Sequence, residues 1–216
     1  MKAPVFIDLG LIDYQSALNE QLKCVDHLMT EPEHPGYILF CSHPAIVTLG
    51  RQTEPQDIIG WKGATLEVSR GGRATYHGPS QAVIYPILNI RQARKNRGPQ
   101  EVRGFIRDLE KCVVEVLNEY GIQSRGKTSS DDKTELSDTG VWILDRKIAS
   151  LGIAVKKWIT YHGVAVNILN DPTAFIGINP CGYKSSVMTS LEKEIQKSIT
   201  IEDFNSRIKK YLIEYL

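Results

Sequence analysis

Apolar residues recur at helical spacing in three stretches of this chain. The first stretch follows Asp13, a residue type that often caps helices, and continues to Met29. The second follows Pro99 and ends before Gly121, and the third begins near Thr200, another capping residue. The pattern therefore predicts three amphipathic helices.

Elsewhere the pattern changes to short apolar runs that are typical of strands. These runs are Tyr37–Cys41, Ala45–Leu49, Thr65–Ser69, Ala82–Ile90, Val141–Leu144, Lys147–Val155 and Trp158–Leu169. The last three are joined by two-residue connections, Asp145-Arg146 and Lys156-Lys157, which indicate antiparallel hairpins. Helices and strands do not alternate regularly. The pattern thus predicts an α+β fold, a single domain over residues 1–216 with a mixed, largely antiparallel sheet flanked by helices.

Composition and charge mainly exclude classes of function. A net charge of +1 over 216 residues gives no global electrostatic reason to bind nucleic acid or an anionic membrane. No apolar run approaches the roughly 20 residues of a membrane helix, and the first residues lack the apolar region of a signal peptide. The four cysteines form no CxxC pair, which favours reduced thiols in the cytoplasm over a zinc ribbon or a disulfide framework. The polar segment Lys127–Thr139 is interpreted as a surface loop.

Cys181 stands between Pro180 and Gly182, two residue types that interrupt regular secondary structure. A cysteine presented on such a loop suits a nucleophile, because its thiolate must be reached by a substrate. The alternative interpretation is a turn that packs a small apolar side chain.

Lys147 opens the strand that follows the first predicted hairpin. Period-two alternation places it on one face with Ala149, Leu151 and Ile153, and across the hairpin with Leu144 and Trp142. Loss of water at the edge of an apolar face disfavours the ammonium form, which is how a lysine becomes a general base near neutral pH. The alternative is a surface lysine that keeps its ammonium in water.

Glycine, arginine and histidine are concentrated in the segment Arg70–Pro79. Its paired glycines allow a ligand to approach backbone N–H groups, although no phosphate-binding motif is matched. The tripeptide Tyr76-His77-Gly78 returns as Tyr161-His162-Gly163, which suggests two similar loops. Either histidine is a candidate to orient a base, to donate to an oxyanion or to line a pocket. A zinc site formed by both histidines and Cys181 is a further alternative.

Taken together, these segments resemble the motifs of lipoyl(octanoyl) transferases. The matching segments are Arg70-Gly71-Gly72-x-x-Thr75-Tyr76-His77-Gly78-Pro79, Gly140-Val141-Trp142, Lys147–Ile153, Tyr161–Asn167 and Ile178–Tyr183. The resemblance implies a fold similar to the catalytic domain of biotin and lipoate-protein ligases, and a cytoplasmic enzyme without cofactor or metal. It also implies transfer of an octanoyl group from octanoyl-acyl carrier protein to a lysine of a lipoyl domain. The implied acceptors are the lipoyl domains of 2-oxoacid dehydrogenase complexes and the glycine cleavage H protein.

The resemblance also implies roles for individual residues. In this family the cysteine carries the acyl group as a thioester and the lysine assists it, and these roles carry over to Cys181 and Lys147. The implied substrate-lining residues are Arg70, Gly71, Gly72, Arg73, Ala74, Thr75, Tyr76, His77, Ser150, Leu151, Gly152, His162, Gly163, Val164 and Ala165. One departure is Ser80, which stands where the family has glycine. Three alternatives stay open: an ATP-dependent lipoate-protein ligase, a cysteine hydrolase, and an acyl-binding module without catalysis.

Overall fold

The computed structural model of the protein describes residues 3–94, 97–127 and 139–216, which contain four α-helices and ten β-strands. The helices are α1 (Tyr14–Thr30), α2 (Val102–Glu119), α3 (Leu191–Ile195) and α4 (Ile201–Tyr215). The strands are β1 (Val5–Leu11), β2 (Tyr37–Ser42), β3 (Ile46–Leu49), β4 (Ala64–Glu67), β5 (Thr75–His77), β6 (Gln81–Ile87), β7 (Arg125–Gly126), β8 (Gly140–Ile143), β9 (Arg146–Lys156) and β10 (Ile159–Asn167).

Seven strands form the main sheet in the order β1-β2-β6-β10-β9-β8-β7, and three form a small sheet in the order β4-β3-β5. In the main sheet β1 runs parallel to β2, and the other pairs are antiparallel. In the small sheet β3 is parallel to β4 and antiparallel to β5. The predicted mixed, largely antiparallel sheet flanked by helices is therefore confirmed.

Side chains that alternate along the main sheet form two separate hydrophobic cores. On one face, sheet residues such as Ile84 and Val164 pack with α2 and α4, for example against Leu109 and Ile208. On the other face, Val83, Tyr85 and Ala165 belong to a core shared with α1. The side of the sheet that α1 covers is the one that carries the candidate site described below.

The three predicted helices are present near the predicted positions. The Asp13 carboxylate accepts a hydrogen bond from the Ser16 backbone N–H at 3.0 Å, and the Thr200 hydroxyl accepts one from the Asp203 N–H at 3.1 Å. These bonds satisfy N–H groups that lack a partner within the helix, so both capping residues act as the sequence predicts. Within the described residues, no helix is long and apolar enough to cross a membrane.

Both hairpins of the meander β8–β9–β10 are antiparallel as predicted, but each turn lies one residue away from its predicted place. The first turn is formed by Leu144 and Asp145, and the second by Lys157 and Trp158. Leu144 has a φ of 54° and is 74% exposed, so its predicted position on the Lys147 face is wrong. A bulge between Val141 and Trp142 changes the register of β8 against β9, which period-two alternation cannot anticipate.

The sequence pattern does not predict the strands β1, β5 and β7. β1 is an edge strand that is interrupted near Gly10, where φ is 60°, and β5 is only three residues long within the glycine-rich segment. The predicted loop Lys127–Thr139 lies mostly outside the described residues.

Candidate active site

Cys181 lies in a 3₁₀ turn formed by Pro180–Gly182, between β10 and α3. Its backbone is in the left-handed region, with a φ of 55° and a ψ of 26°. A residue with a side chain adopts this conformation at some cost in free energy, and such residues concentrate where function fixes a geometry. Cys181 as a residue is partly exposed.

Two backbone hydrogen bonds fix this turn to the small sheet and its surroundings. The Cys181 N–H donates to the Ala74 carbonyl at 2.9 Å, and the Asn179 N–H donates to the Asp57 carbonyl at 2.8 Å. The Asp57 carboxylate, which is fully buried, accepts hydrogen bonds from the Arg73 guanidinium at 2.6 to 3.1 Å. Arg73 therefore supports the turn through Asp57.

The Cys181 thiol is surrounded by groups that favour its ionised form. Its Sγ atom lies 3.5 Å from the Thr75 hydroxyl, and Ser150 supplies a further hydrogen bond. Burial raises the pKa of the thiol, but the charge of Lys147, the hydrogen bond of Thr75, the charge of Arg70 and the hydrogen bond of Ser150 together bring the pKa below its ordinary value. A thiol with a lowered pKa has the electrostatic surroundings of a reactive cysteine.

Lys147 is fully buried, so it does not keep its ammonium in water as the alternative interpretation required. Its Nζ atom lies 5.3 Å from the centre of the Trp142 ring and 5.8 Å from that of Tyr183. Among the described residues, Nζ has no hydrogen-bond partner. A buried cation without such a partner is costly for the fold, which makes its place beside Cys181 a sign of function.

A narrow cavity of about 20 Å³ lies beside the thiol region, along the sheet face that α1 covers. Thr75 and Ser150, the two hydroxyl residues beside Cys181, both line it. Its remaining lining residues are Tyr14, Arg70, His77, Val83, Tyr85, Leu151, Gly152, His162, Gly163, Val164 and Ala165. The cavity therefore opens next to the candidate nucleophile.

Arg70 crosses over this cavity with its guanidinium almost entirely buried. The guanidinium donates to the carbonyl groups of Gly71, Arg73 and Thr48 and to the Thr48 hydroxyl, at 2.7 to 3.1 Å. All of these acceptors are neutral. The Arg70 charge is thus left to act on the thiol and on the neighbouring histidines.

The repeated Tyr-His-Gly tripeptides do not form two similar loops. Tyr76 and His77 belong to β5, whereas the second copy lies within β10. Both histidines nevertheless line the same cavity, His162 with a φ of 57°. The hydrogen bonds of these two rings go to Tyr14 and Thr48 and not to Cys181.

Ten of the fifteen implied lining residues line the cavity, and five do not. Gly71, Gly72 and Arg73 lie behind Arg70, and Ala74 and Tyr76 pack in a separate core of the small sheet. The cavity also contains Tyr14, Val83 and Tyr85, which the sequence did not assign to it. Tyr14 is a buried residue at the start of α1, so the apolar spacing of that helix was a usable signal for it. Among the described residues, no group of three His, Cys, Asp or Glu side chains is placed to hold a metal ion.

Comparison with known proteins gives consistent matches. A family model described as the lipoyl protein ligase A/B catalytic domain matches residues 13–213. A curated protein named octanoyltransferase, from Bdellovibrio bacteriovorus, is 44% identical over 216 residues, which cover 98% of each chain. The solved structure of a bi-partite lipoate protein ligase from Thermoplasma acidophilum has a TM-score of 0.67 at 13% identity, over 100% of this chain and 84% of that one. A biotin protein ligase from Aquifex aeolicus has a TM-score of 0.54 at 12% identity, over 100% of this chain and 70% of that one.

The fold is therefore that of the catalytic domains of lipoate-protein and biotin protein ligases, as the sequence motifs implied. Within this fold the chain belongs to the lipoyl protein ligase A/B catalytic domain family.

Proposed function

We propose that this protein is an octanoyltransferase that moves an octanoyl group from an acyl carrier protein to a lysine of a lipoyl domain. The observation that carries the proposal is the Cys181 thiol, which lies close to the buried Lys147 and contacts two residues that line a narrow cavity, Thr75 and Ser150. The octanoyltransferase relative, 44% identical over almost the whole chain, supports the same activity. In this proposal Cys181 is the nucleophile and Lys147 is the acid and base.

The first half-reaction loads the enzyme. The Cys181 thiolate attacks the carbonyl carbon of the donor thioester, and collapse of the tetrahedral intermediate breaks the bond to the carrier's sulfur. The departing thiolate takes a proton from the Lys147 ammonium, which leaves Lys147 neutral. The products are an octanoyl thioester on Cys181 and a carrier protein with a free thiol.

The second half-reaction transfers the group to the acceptor. The neutral amine of the acceptor lysine attacks the Cys181 thioester, and Lys147 takes the proton that the nitrogen loses as the amide forms. The Cys181 thiolate leaves, so both residues return to their starting forms. The donor thioester already carries the activation that an adenylate would supply in a ligase, so no ATP is consumed.

The cavity is the proposed site of the octanoyl chain, and its side chains have to move apart to admit the chain, because its volume of about 20 Å³ holds about one water molecule. Each buried methylene contributes about 0.8 kcal/mol, so six methylenes contribute roughly 5 kcal/mol of binding free energy. The proposed acceptors are the lipoyl domains of 2-oxoacid dehydrogenase complexes and the glycine cleavage H protein. We also propose a cytoplasmic location, because all four cysteines are free thiols, as a reducing compartment favours.

One experiment separates this proposal from its rivals. The protein is incubated with octanoyl-acyl carrier protein and an apo lipoyl domain, without ATP, and all species are weighed by intact mass spectrometry. We expect an octanoyl adduct on the enzyme, its absence in Cys181→Ser, and an octanoylated lipoyl domain. Free octanoate as the product would indicate a hydrolase, a requirement for ATP would indicate a ligase, and no covalent product would indicate a binding module.

A further inference from the structure

We infer that polar groups at the end of the cavity away from Cys181, and not its volume alone, limit the length of the acyl chain that the enzyme accepts. The groups are the side chains of Tyr14, His77 and His162, here called the polar end wall. This inference rests on the proposed function and adds the basis of its substrate selection.

The register of the strands gives the cavity a direction. On its floor, Ser150 of β9 pairs with Ala165 of β10, and two residues further along β9, Gly152 pairs with Gly163. Ser150 lies at the Cys181 end, so the floor extends away from the thiol by about 7 Å from Ser150 to Gly152. His162 follows directly in the chain beyond this glycine pair.

The polar end wall contains ring nitrogens that no described residue satisfies. The Nδ1 atom of His162 lies 3.3 Å from the Tyr14 hydroxyl, but among the described residues its Nε2 atom has no hydrogen-bond partner. The Nε2 atom of His77 lies 3.3 Å from the Thr48 hydroxyl, and its Nδ1 atom has no hydrogen-bond partner in the part of the chain that the structure describes. Both side chains are more than nine-tenths buried.

These rings are polar but uncharged at neutral pH. Burial, together with the positive charges of Arg70 and Arg51, lowers the pKa of His162 to about 3. Burial and the neighbouring His43 hold the pKa of His77 well below its usual range. The wall therefore presents neutral imidazole nitrogens that accept or donate hydrogen bonds.

A hydrocarbon chain that reaches these nitrogens covers them without giving them a partner. A buried polar group without a hydrogen bond is costly, whereas a small polar group or a water molecule in the same place satisfies it. A chain that ends short of the wall avoids this cost, and each further methylene incurs it. The wall thus selects against longer hydrocarbon chains and tolerates a chain with a polar end.

The unmodified enzyme tests this inference directly. Nonanoyl and 8-hydroxyoctanoyl groups have the same number of non-hydrogen atoms after the carbonyl, and differ only in a terminal methyl or hydroxyl. Each is presented on the carrier protein, and its loading onto Cys181 is timed by mass spectrometry in a single turnover. We expect the hydroxylated chain to load faster than nonanoyl. Equal or slower loading of the hydroxylated chain overturns the inference, because an apolar end wall would gain nothing from the hydroxyl.

A pair of variants then locates the effect. His77→Met and His77→Gln insert side chains of nearly equal length, of which only glutamine is polar. We expect His77→Met to raise the loading rate of decanoyl relative to octanoyl at least fivefold more than His77→Gln does. Equal ratios in the two variants indicate a purely steric limit and overturn the inference. If a His77 variant melts early or loses Cys181 alkylation, the pair His162→Met and His162→Gln replaces it.

Failure of this inference can be distinguished from failure of the proposed function. If octanoyl itself does not load onto Cys181 of the unmodified enzyme, the transferase proposal fails. If octanoyl loads but polarity at the chain end has no effect, only the polar end wall is refuted.

Discussion

Replacing Lys147 by methionine removes the charge that most strongly opposes the effect of burial on Cys181. Burial raises the pKa of the thiol, and the charge of Lys147 is the largest influence in the opposite direction. Two unit charges about 4 Å apart attract by roughly 4 kcal/mol at an effective dielectric constant near 20. One third of that attraction, about 1.4 kcal/mol, corresponds to one pKa unit. Its loss therefore lowers the ratio of thiolate to thiol about tenfold at a fixed pH below the pKa.

The expected result is at least a tenfold slower alkylation of Cys181 by iodoacetamide at pH 7. The pH profile moves to higher pH, because loss of a neighbouring cation raises the pKa of a thiol. Rates are read from the Cys181 peptide by mass spectrometry between pH 5 and 10. The Cys24 peptide serves as an internal reference, since burial raises the pKa of Cys24 to about 11 and the substitution lies elsewhere.

Two controls make this result specific. Lys184→Met removes an exposed lysine three residues after Cys181 and should leave the profile unchanged. The melting temperature of Lys147→Met should not fall, because methionine replaces a buried cation that has no hydrogen-bond partner among the described residues. An unchanged alkylation profile in a folded Lys147→Met protein would refute the assignment of Lys147 as the partner of the thiol.

Two further predictions concern stability. Gly163→Ala should lower the free energy of unfolding by more than about 2 kcal/mol, because an added Cβ would overlap a main-chain carbonyl of β6. In the control Gly71→Ala, the added Cβ meets nothing closer than 3.8 Å, so the free energy of unfolding should change by less than about 1 kcal/mol. Arg73→Gln should lower the free energy of unfolding by about 3 kcal/mol, because it leaves the buried Asp57 carboxylate without its guanidinium partner. In the control Lys23→Gln, which breaks the exposed ion pair with Glu20, the loss should be under about 0.5 kcal/mol. Urea unfolding of all four variants checks both predictions, and equal losses within either pair would contradict the corresponding argument.

Local sequence patterns were sufficient to predict the elements whose formation depends mainly on residues close together in the chain. The helices follow from apolar spacing and capping residues, and the meander follows from two short connections between apolar runs. The hairpin turns shifted by one residue because Leu144, Lys157 and Trp158 adopt positive φ values without any glycine to mark them. β1 and β5 were missed because pairing with distant strands, and not their own composition, makes them strands.

The cavity shows where sequence reasoning reached its limit. Some residues of the glycine-rich segment line the cavity, and others bind the Arg70 guanidinium through their carbonyl groups. Which residue does which depends on the path of the Arg70 side chain. The sequence pattern does not distinguish Tyr85 from any other buried strand residue. Its hydroxyl nevertheless lies 2.8 Å from the Nε2 atom of His43, next to the cavity. Only the packing of α1 and β6 around the small sheet reveals these contacts.

The position of Lys147 depends on a glycine that is seven residues earlier in the chain. Gly140 has a φ of 149°, and a Cβ atom there would lie 2.6 Å from Lys147 Cε and 2.5 Å from the Ala149 carbonyl oxygen. The Gly140 N–H donates to the buried Glu110 carboxylate of α2 at 2.8 Å, which fixes the start of β8. Any side chain at Gly140 would therefore have to displace the lysine or the strand. The motif Gly140-Val141-Trp142 thus provides both the space and the aromatic wall for the lysine side chain, which explains why these residues accompany Lys147 in the sequence although none of them has reactive chemistry of its own.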